Sequence, residues 1–313
     1  MKGGMRGTRP FYPSYACAMD LVANPAIRAA LACGLAAGAC AQAAIVEDKF
    51  MLPVKVTDSH DNEVQHSIMV TTFYDSDTPA PRPVVVINHG RAANAMDRSK
   101  LGRAQYSVAS KWLASMGFFV AVPTRIGYGV TGGPDIEDTG DCSHKYYPPG
   151  YVAAASQTLQ VLDRVRARDD VDRSRAIVWG QSFGGATAIT LASMNPPNVQ
   201  LAVNFAGGGG GDPVGRPQNP CAQPMLKKLF ADYGKTSRIP TLWIYTENDM
   251  YFGPKLPKVW FDAFVAEGGK GEYTRFPPDG ENGHSLFTHA PEKWQPRVLE
   301  FLRANGYPNL PTR

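Results

Sequence analysis

Six short runs rich in β-branched and aromatic residues recur along the chain, at 84–88, 118–122, 176–179, 200–205, 241–246 and 272–276. Most are continuously apolar, as a strand covered on both faces must be. Segments with helical spacing of apolar residues separate them, at 104–116, 151–168, 183–194, 255–267 and 291–304. Strands that alternate with helices need crossover connections, and these build a parallel sheet. Residues 50–56 and 66–73 alternate apolar and polar instead, so they are expected as half-buried antiparallel strands. The expected class is α/β: a mostly parallel central sheet flanked by helices on both faces. No repeat and no linker divides residues 44–313, which read as a single domain.

Composition excludes several alternatives. At 313 residues, 43% hydrophobic and 19% charged, the chain can bury a sizeable core. No apolar run reaches the roughly 18 residues of a membrane-spanning helix, so no stable membrane span is expected. The net charge of +4 is carried mostly by the first 43 residues, where Lys2, Arg6, Arg9 and Arg28 face only Asp20. The remainder is near balance and offers no basic face for nucleic acid.

Those first residues read as a leader. Arg28 precedes the run AALACGLAAGACA at 29–41, and Ala41, Gln42 and Ala43 end it with small residues where a signal peptidase reads. A start at Met19 gives a leader of ordinary length, with residues 1–18 an upstream extension. The alternative is an alanine-rich helix packed on the domain. The leader predicts export to the periplasm or beyond. Its removal takes Cys17, Cys33 and Cys40, and leaves Cys142 and Cys221. An even count in an exported chain predicts one disulfide between them, in loops that leave the same sheet edge; two separate thiols are the alternative. Two cysteines without H-E-x-x-H or paired C-x-x-C support no metal site.

The run at 176–179 leads into Gly180-Gln181-Ser182-Phe183-Gly184-Gly185, and a helical pattern follows at once. This is G-x-S-x-G on a strand–turn–helix. The spacing lets a serine stand clear of the backbone at a sharp turn, while glycines keep Cβ atoms out of the strand–helix contact. A helix N-terminus there also supplies amides near the reacting oxygen.

Here the chain resembles the α/β-hydrolase superfamily, and within it the dienelactone-hydrolase-like and cutinase-like esterases, over about residues 80–305. The resemblance implies the α/β-hydrolase fold and a nucleophile, acid and histidine in that chain order. Ser182 is the implied nucleophile. Asp249, after the run at 241–246, is the implied acid, with Glu247 and Asp212 as alternatives. His284, in Asn282-Gly283-His284 after the next strand, is the implied base; His289 is expected to open the last helix. The superfamily's oxyanion hole implies two backbone amides, of Phe183 after the serine and of Arg91 in His89-Gly90-Arg91, with Ala92 the alternative to Arg91. His89 is then structural.

Gly127-Tyr128-Gly129-Val130-Thr131-Gly132 matches G-x-G-x-x-G, but Gly133-Pro134 follows where a dinucleotide-binding helix must begin. It resembles instead a glycine loop of the superfamily, with Arg125 at its start. The five glycines at 207–211 lack a P-loop lysine and are expected as a flexible loop beside the site, or as a wall where bulk is excluded. Tyr146, Tyr147, Tyr251 and Phe252 are candidate substrate contacts at the same edge. Together these features predict an exported serine hydrolase that cleaves carboxylic esters of small molecules or polymers, without cofactor or metal. Dienelactone hydrolases proper carry cysteine where this chain has Ser182. The alternatives are a peptidase of the prolyl-oligopeptidase type and a non-catalytic binding protein on the same fold.

Overall fold

In the computed structural model, residues 44–92 and 94–311 are described. The expected leader, with Cys17, Cys33 and Cys40, lies outside them. Ile45–Thr57 (β1) and Glu63–Asp75 (β2) form a long antiparallel ladder in which Leu52 lies opposite Ile68 and Phe50 opposite Val70. Asp58 closes the turn between them, its Oδ1 accepting from the His60 and Asn62 amides at 2.8 and 2.9 Å.

The β-branched runs become Arg82–Asn88 (β3), Phe119–Thr124 (β4), Val171–Gln181 (β5), Val199–Phe205 (β6), Thr241–Thr246 (β7) and Gly271–Phe276 (β8). The sheet order is β1-β2-β4-β3-β5-β6-β7-β8. β2 pairs antiparallel with both β1 and β4, and every other neighbouring pair is parallel.

Successive residues of a strand point to opposite faces, and β3 shows it cleanly. Val85 and Ile87 join a core with Leu113 and Trp294, while Val84 and Val86 join another with Val161 and Leu191. The helices supplying those partners are Ser107–Ser115 (α2), Pro291–Ala304 (α8), Pro148–Arg166 (α3) and Phe183–Met194 (α4). A third cluster packs Trp243 of β7 against Phe230 of Gln223–Thr236 (α5) and Trp260 of Leu256–Ala266 (α6). α4 is buried on nearly every side, which its run of alanine, isoleucine and leucine allows. Two short helices complete the α-helices of the described residues, Ala95–Ser99 (α1) and Leu286–His289 (α7).

Two expectations are corrected. α5 was not foreseen, although Leu226, Leu229 and Phe230 form its buried stripe. His289 ends α7 and does not open the last helix; Pro291 does, where its missing N–H costs nothing.

Candidate active site

Between β5 and α4 stands Ser182, with φ 58° and ψ −122°. A serine at positive φ is strained, and it persists only where its surroundings hold it. Here its amide donates to the Phe205 carbonyl at 2.8 Å, and its carbonyl accepts from the amides of Ala186 and Gly208 at 3.1 and 3.3 Å. A Cβ on Gly180 would fall on the Gly184 carbonyl, and one on Gly184 would fall on that of Asn88. The two glycines of the motif are therefore what let strand, turn and helix close on one another. Phe183 is the first residue of α4, so its N–H lacks an intrahelical partner.

Asp249 lies past β7 and is fully buried. Its Oδ1 accepts from the amides of Tyr251 and Phe252 at 2.8 and 3.1 Å, and its Oδ2 is 2.9 Å from His284 Nδ1. A carboxylate only accepts, so the neutral imidazole carries its proton on Nδ1 and leaves Nε2 as acceptor. Tyr251 stacks on the His284 ring at 4.1 Å between centroids, and Phe252 meets it edge-on at 5.3 Å. The Asn282 side chain joins the two loops, accepting from the amides of His284 and Met250 at 3.1 and 3.0 Å. Gln181 Nε2 donates to the His284 carbonyl at 3.2 Å, which ties the histidine loop to the residue before Ser182. Of the alternatives, Glu247 is exposed and 3.6 Å from Arg275, and Asp212 lines the cavity from a hairpin, 4.0 Å from Arg216.

The turn after β3 lies against the elbow, because a Cβ on Gly90 would stand 3.2 Å from Ser182 Cβ. His89 has both ring nitrogens engaged: Nδ1 donates to the Gly90 carbonyl at 2.7 Å, and Nε2 accepts from the Arg125 amide at 3.1 Å. Burial, and then the nearby Arg125 charge, push its pKa well below the ordinary value. It is a neutral structural ring. Arg125 donates to the His89 carbonyl at 2.9 Å and pairs with Glu137 at 2.5 Å, both side chains having no exposed surface. Tyr128 adds its hydroxyl to the same carboxylate at 2.7 Å. Arg91 reaches Asp135 through two bonds of 2.6 Å. The glycine loop closes on itself through Gly127 N and Gly132 O at 2.6 Å, with no helix at its end. A Cβ on Gly129 would strike the Gly102 carbonyl.

In front of Ser182 lies a cavity of about 430 Å³. Its outer wall comes from the loops after β4 and β6, and Cys142 joins Cys221 across them with S–S 2.06 Å and Cα–Cα 5.2 Å. Tyr147 donates its hydroxyl to the Cys221 carbonyl at 2.6 Å. The glycine run is packed, not slack. A Cβ on Gly209 would lie 2.6 Å from the Tyr151 hydroxyl, one on Gly208 2.8 Å from the Phe252 ring, and one on Gly211 2.8 Å from Tyr251. Bulk is excluded there because aromatic rings press on the backbone. Tyr147, Tyr251 and Phe252 line the cavity; Tyr146 is 59% exposed and lies outside that lining. Among the described residues, no group of three His, Cys, Asp or Glu could hold a metal, and no helix is long and apolar enough to cross a membrane.

No family model matches the chain. Solved structures do resemble it. An acetyl xylan esterase from Paenibacillus sp. R4 superposes with a TM-score of 0.54 at 18% identity, over 84% of this chain and 89% of that one. An esterase from Pyrococcus furiosus gives 0.51 at 15%, over 82% and 91%. An acylaminoacyl peptidase from Pyrococcus horikoshii gives 0.53 at 13%, over 82% of this chain but 42% of its own. The chain has the α/β-hydrolase fold.

Within that α/β-hydrolase fold, the structure bonds Asp249 to His284 and sets Phe183, Arg91 and Ser182 on one cavity. Sequence reasoning missed Gln181, Asn282, Asp135 and Glu137, which hold the others in place. Gln181 is the x of G-x-S-x-G, and that position was open to question. The carboxylates gave no signal, because their partners lie 44 and 12 residues away in irregular loops.

Proposed function

We propose that this protein is an exported serine hydrolase that cleaves carboxylic esters through an acyl-enzyme. Ser182 Oγ attacks the carbonyl carbon while His284 Nε2 takes its proton. Asp249 holds the imidazole tautomer and stabilises the imidazolium. The developing oxyanion is met by the amides of Phe183 and Arg91, a contribution of about 10²–10³ in turnover per donor. His284 then protonates the leaving alcohol, and in a second half-reaction activates water to release the acid and restore Ser182.

The observation that carries this reading is the Asp249–His284 pair tied by Gln181 to a strained serine turn. Backbone strain of this kind is kept where function uses it. Esterases among the structural neighbours share the fold, which is compatible with the chemistry but does not specify it.

A fluorophosphonate probe should label the purified protein, and Ser182→Ala should abolish labelling and lower p-nitrophenyl acetate turnover by at least ~10³-fold. A variant that keeps turnover within tenfold of the parent would remove Ser182 from the mechanism. An N-acylated peptide hydrolysed faster than any ester would move the assignment to a peptidase. Export is tested by intact mass of the mature protein: cleavage after Ala43 is expected, and a retained leader on the periplasmic or secreted form overturns it.

A further inference from the structure

Four aromatic rings line the cavity beside Ser182, and of these only Tyr251, stacked on His284, is partly exposed. Tyr147, Phe183 and Phe252 line it, yet they are only 0%, 3% and 1% exposed. Peptide groups of Gly208, Gly209, Gly210 and Gly211 supply another stretch, which has no side chain to make it apolar. Charged side chains from the two disulfide-linked loops complete the wall.

Asp212 and Arg216 face each other in a small hairpin, with the Arg216 amide donating to the Asp212 carbonyl at 3.0 Å. Asp212 Oδ1 is committed to the amides of Val214 and Gly215 at 3.2 and 2.9 Å. Its Oδ2 is 4.0 Å from Arg216 Nε, beyond hydrogen-bond distance, and remains able to accept. Lys145 lines the same cavity and donates to the Gly140 carbonyl and to Thr139 Oγ1 at 3.4 Å, which leaves one of its donors. An ammonium has three donors, so Lys145 keeps capacity for a ligand. Burial lowers its pKa, the sign of a charge that has lost part of its water.

A long acyl chain entering this space would strip water from these groups and return no hydrogen bond, which is costly. A ligand rich in hydroxyls offers both donors and acceptors to them. A cavity of about 430 Å³ also lies at the small end of ligand pockets, about 300–1,000 Å³. We propose that the site selects short-chain acyl esters of hydroxyl-rich alcohols, the carbohydrate class, with Asp212 Oδ2 accepting from ligand hydroxyls and Lys145 donating to them. This rests on the serine-hydrolase reading above.

The test compares two acetates of primary alcohols on six-membered rings: methyl 6-O-acetyl-glucoside and cyclohexylmethyl acetate. The protein should hydrolyse the sugar ester with kcat/KM at least about tenfold higher, the effect of one or two hydrogen bonds to charged groups. Asp212→Asn keeps an oxygen for the hairpin amides but replaces an acceptor with a donor, and should lower that preference about five- to tenfold. Lys145→Gln should lower it in the same direction and serves if the hairpin variant does not accumulate. p-Nitrophenyl palmitate should be at least about 100-fold poorer than p-nitrophenyl acetate, because its chain finds charge where it needs apolar surface. Equal rates on the two ring acetates, or palmitate preferred, with Ser182 still labelled by fluorophosphonate, overturns this proposal and leaves the hydrolase reading standing. No labelling and no turnover of any ester sinks the hydrolase reading, and this proposal with it.

Discussion

The two walls of the Ser182 cavity are held by different chemistry. Behind the serine, the turn carrying Gly90 and Arg91 is fixed by ion pairs: Arg125 with Glu137 in full burial, and Arg91 with Asp135. In front, the loops after β4 and β6 are fixed by the Cys142–Cys221 bond and by glycines pressed on Tyr147, Tyr151, Tyr251 and Phe252. In the proposed mechanism the rear wall holds amides in one geometry, and a buried ion pair with its hydrogen bonds satisfied resists any displacement that would unpair it. The front wall has only to bound a space. There a covalent tether limits how far the loops can part and leaves the surface between free to meet a ligand.

The comparison can be broken at several points. The largest effect is expected at Asp249, whose carboxylate holds His284 and the amides of Tyr251 and Phe252. Asp249→Asn should lower kcat on p-nitrophenyl acetate by up to about 10⁴-fold, since an amide side chain favours the wrong imidazole tautomer. Next, Glu137→Gln strands the Arg125 charge in the interior and should cost about 3–5 kcal/mol in urea unfolding. A loss under 1 kcal/mol would mean that the rear wall is not held by this pair. Replacing Cys142 and Cys221 by serine should cost about 2–4 kcal/mol by releasing a loop of 79 residues. Its kinetic effect should fall on KM more than on kcat; the reverse would show that the front wall positions catalytic groups. Gly209→Ala should cost about 1–3 kcal/mol, as the added methyl meets Tyr147 and Tyr151. The smallest change is expected for Glu247→Gln, an exposed partner of Arg275, with stability altered by less than about 1 kcal/mol and turnover by less than twofold. If that variant proves more damaging than Asp249→Asn, the acid has been misassigned.

Some of this was legible in the sequence, and the reasons differ by element. The bounds of α4, β7 and α8 coincide with their patterns because α4 and β7 are buried along nearly their whole length and α8 carries a regular buried stripe of Trp294, Val298, Phe301 and Leu302. β1 and β2 extend beyond the alternating patches, since charged residues on an edge ladder leave no apolar signal. α5 went unread because the stretch of glycine and proline before it looks like loop. The strained turn at Ser182 was legible from glycine spacing, and the contact between Asp249 and His284 from the order that the resemblance implies. The disulfide was legible from the two cysteines that an exported chain would keep and from loops that leave the same sheet edge. The ion pairs behind Arg91 were not, because no period links residues that meet through irregular loops.

The Cys142–Cys221 bond closes a ring of chain that contains Ser182 and all of α4. The hairpin tip at Val214 is 90% exposed and lies inside that ring, on a stretch where a protease can reach the backbone. A single cut there would leave the piece bearing Ser182 and the piece bearing Asp249 and His284 still joined through sulfur. The nicked molecule should run as one band without reductant and as two with it. The proposed nucleophile and its proposed acid–base pair would then sit on separate polypeptides held in one body.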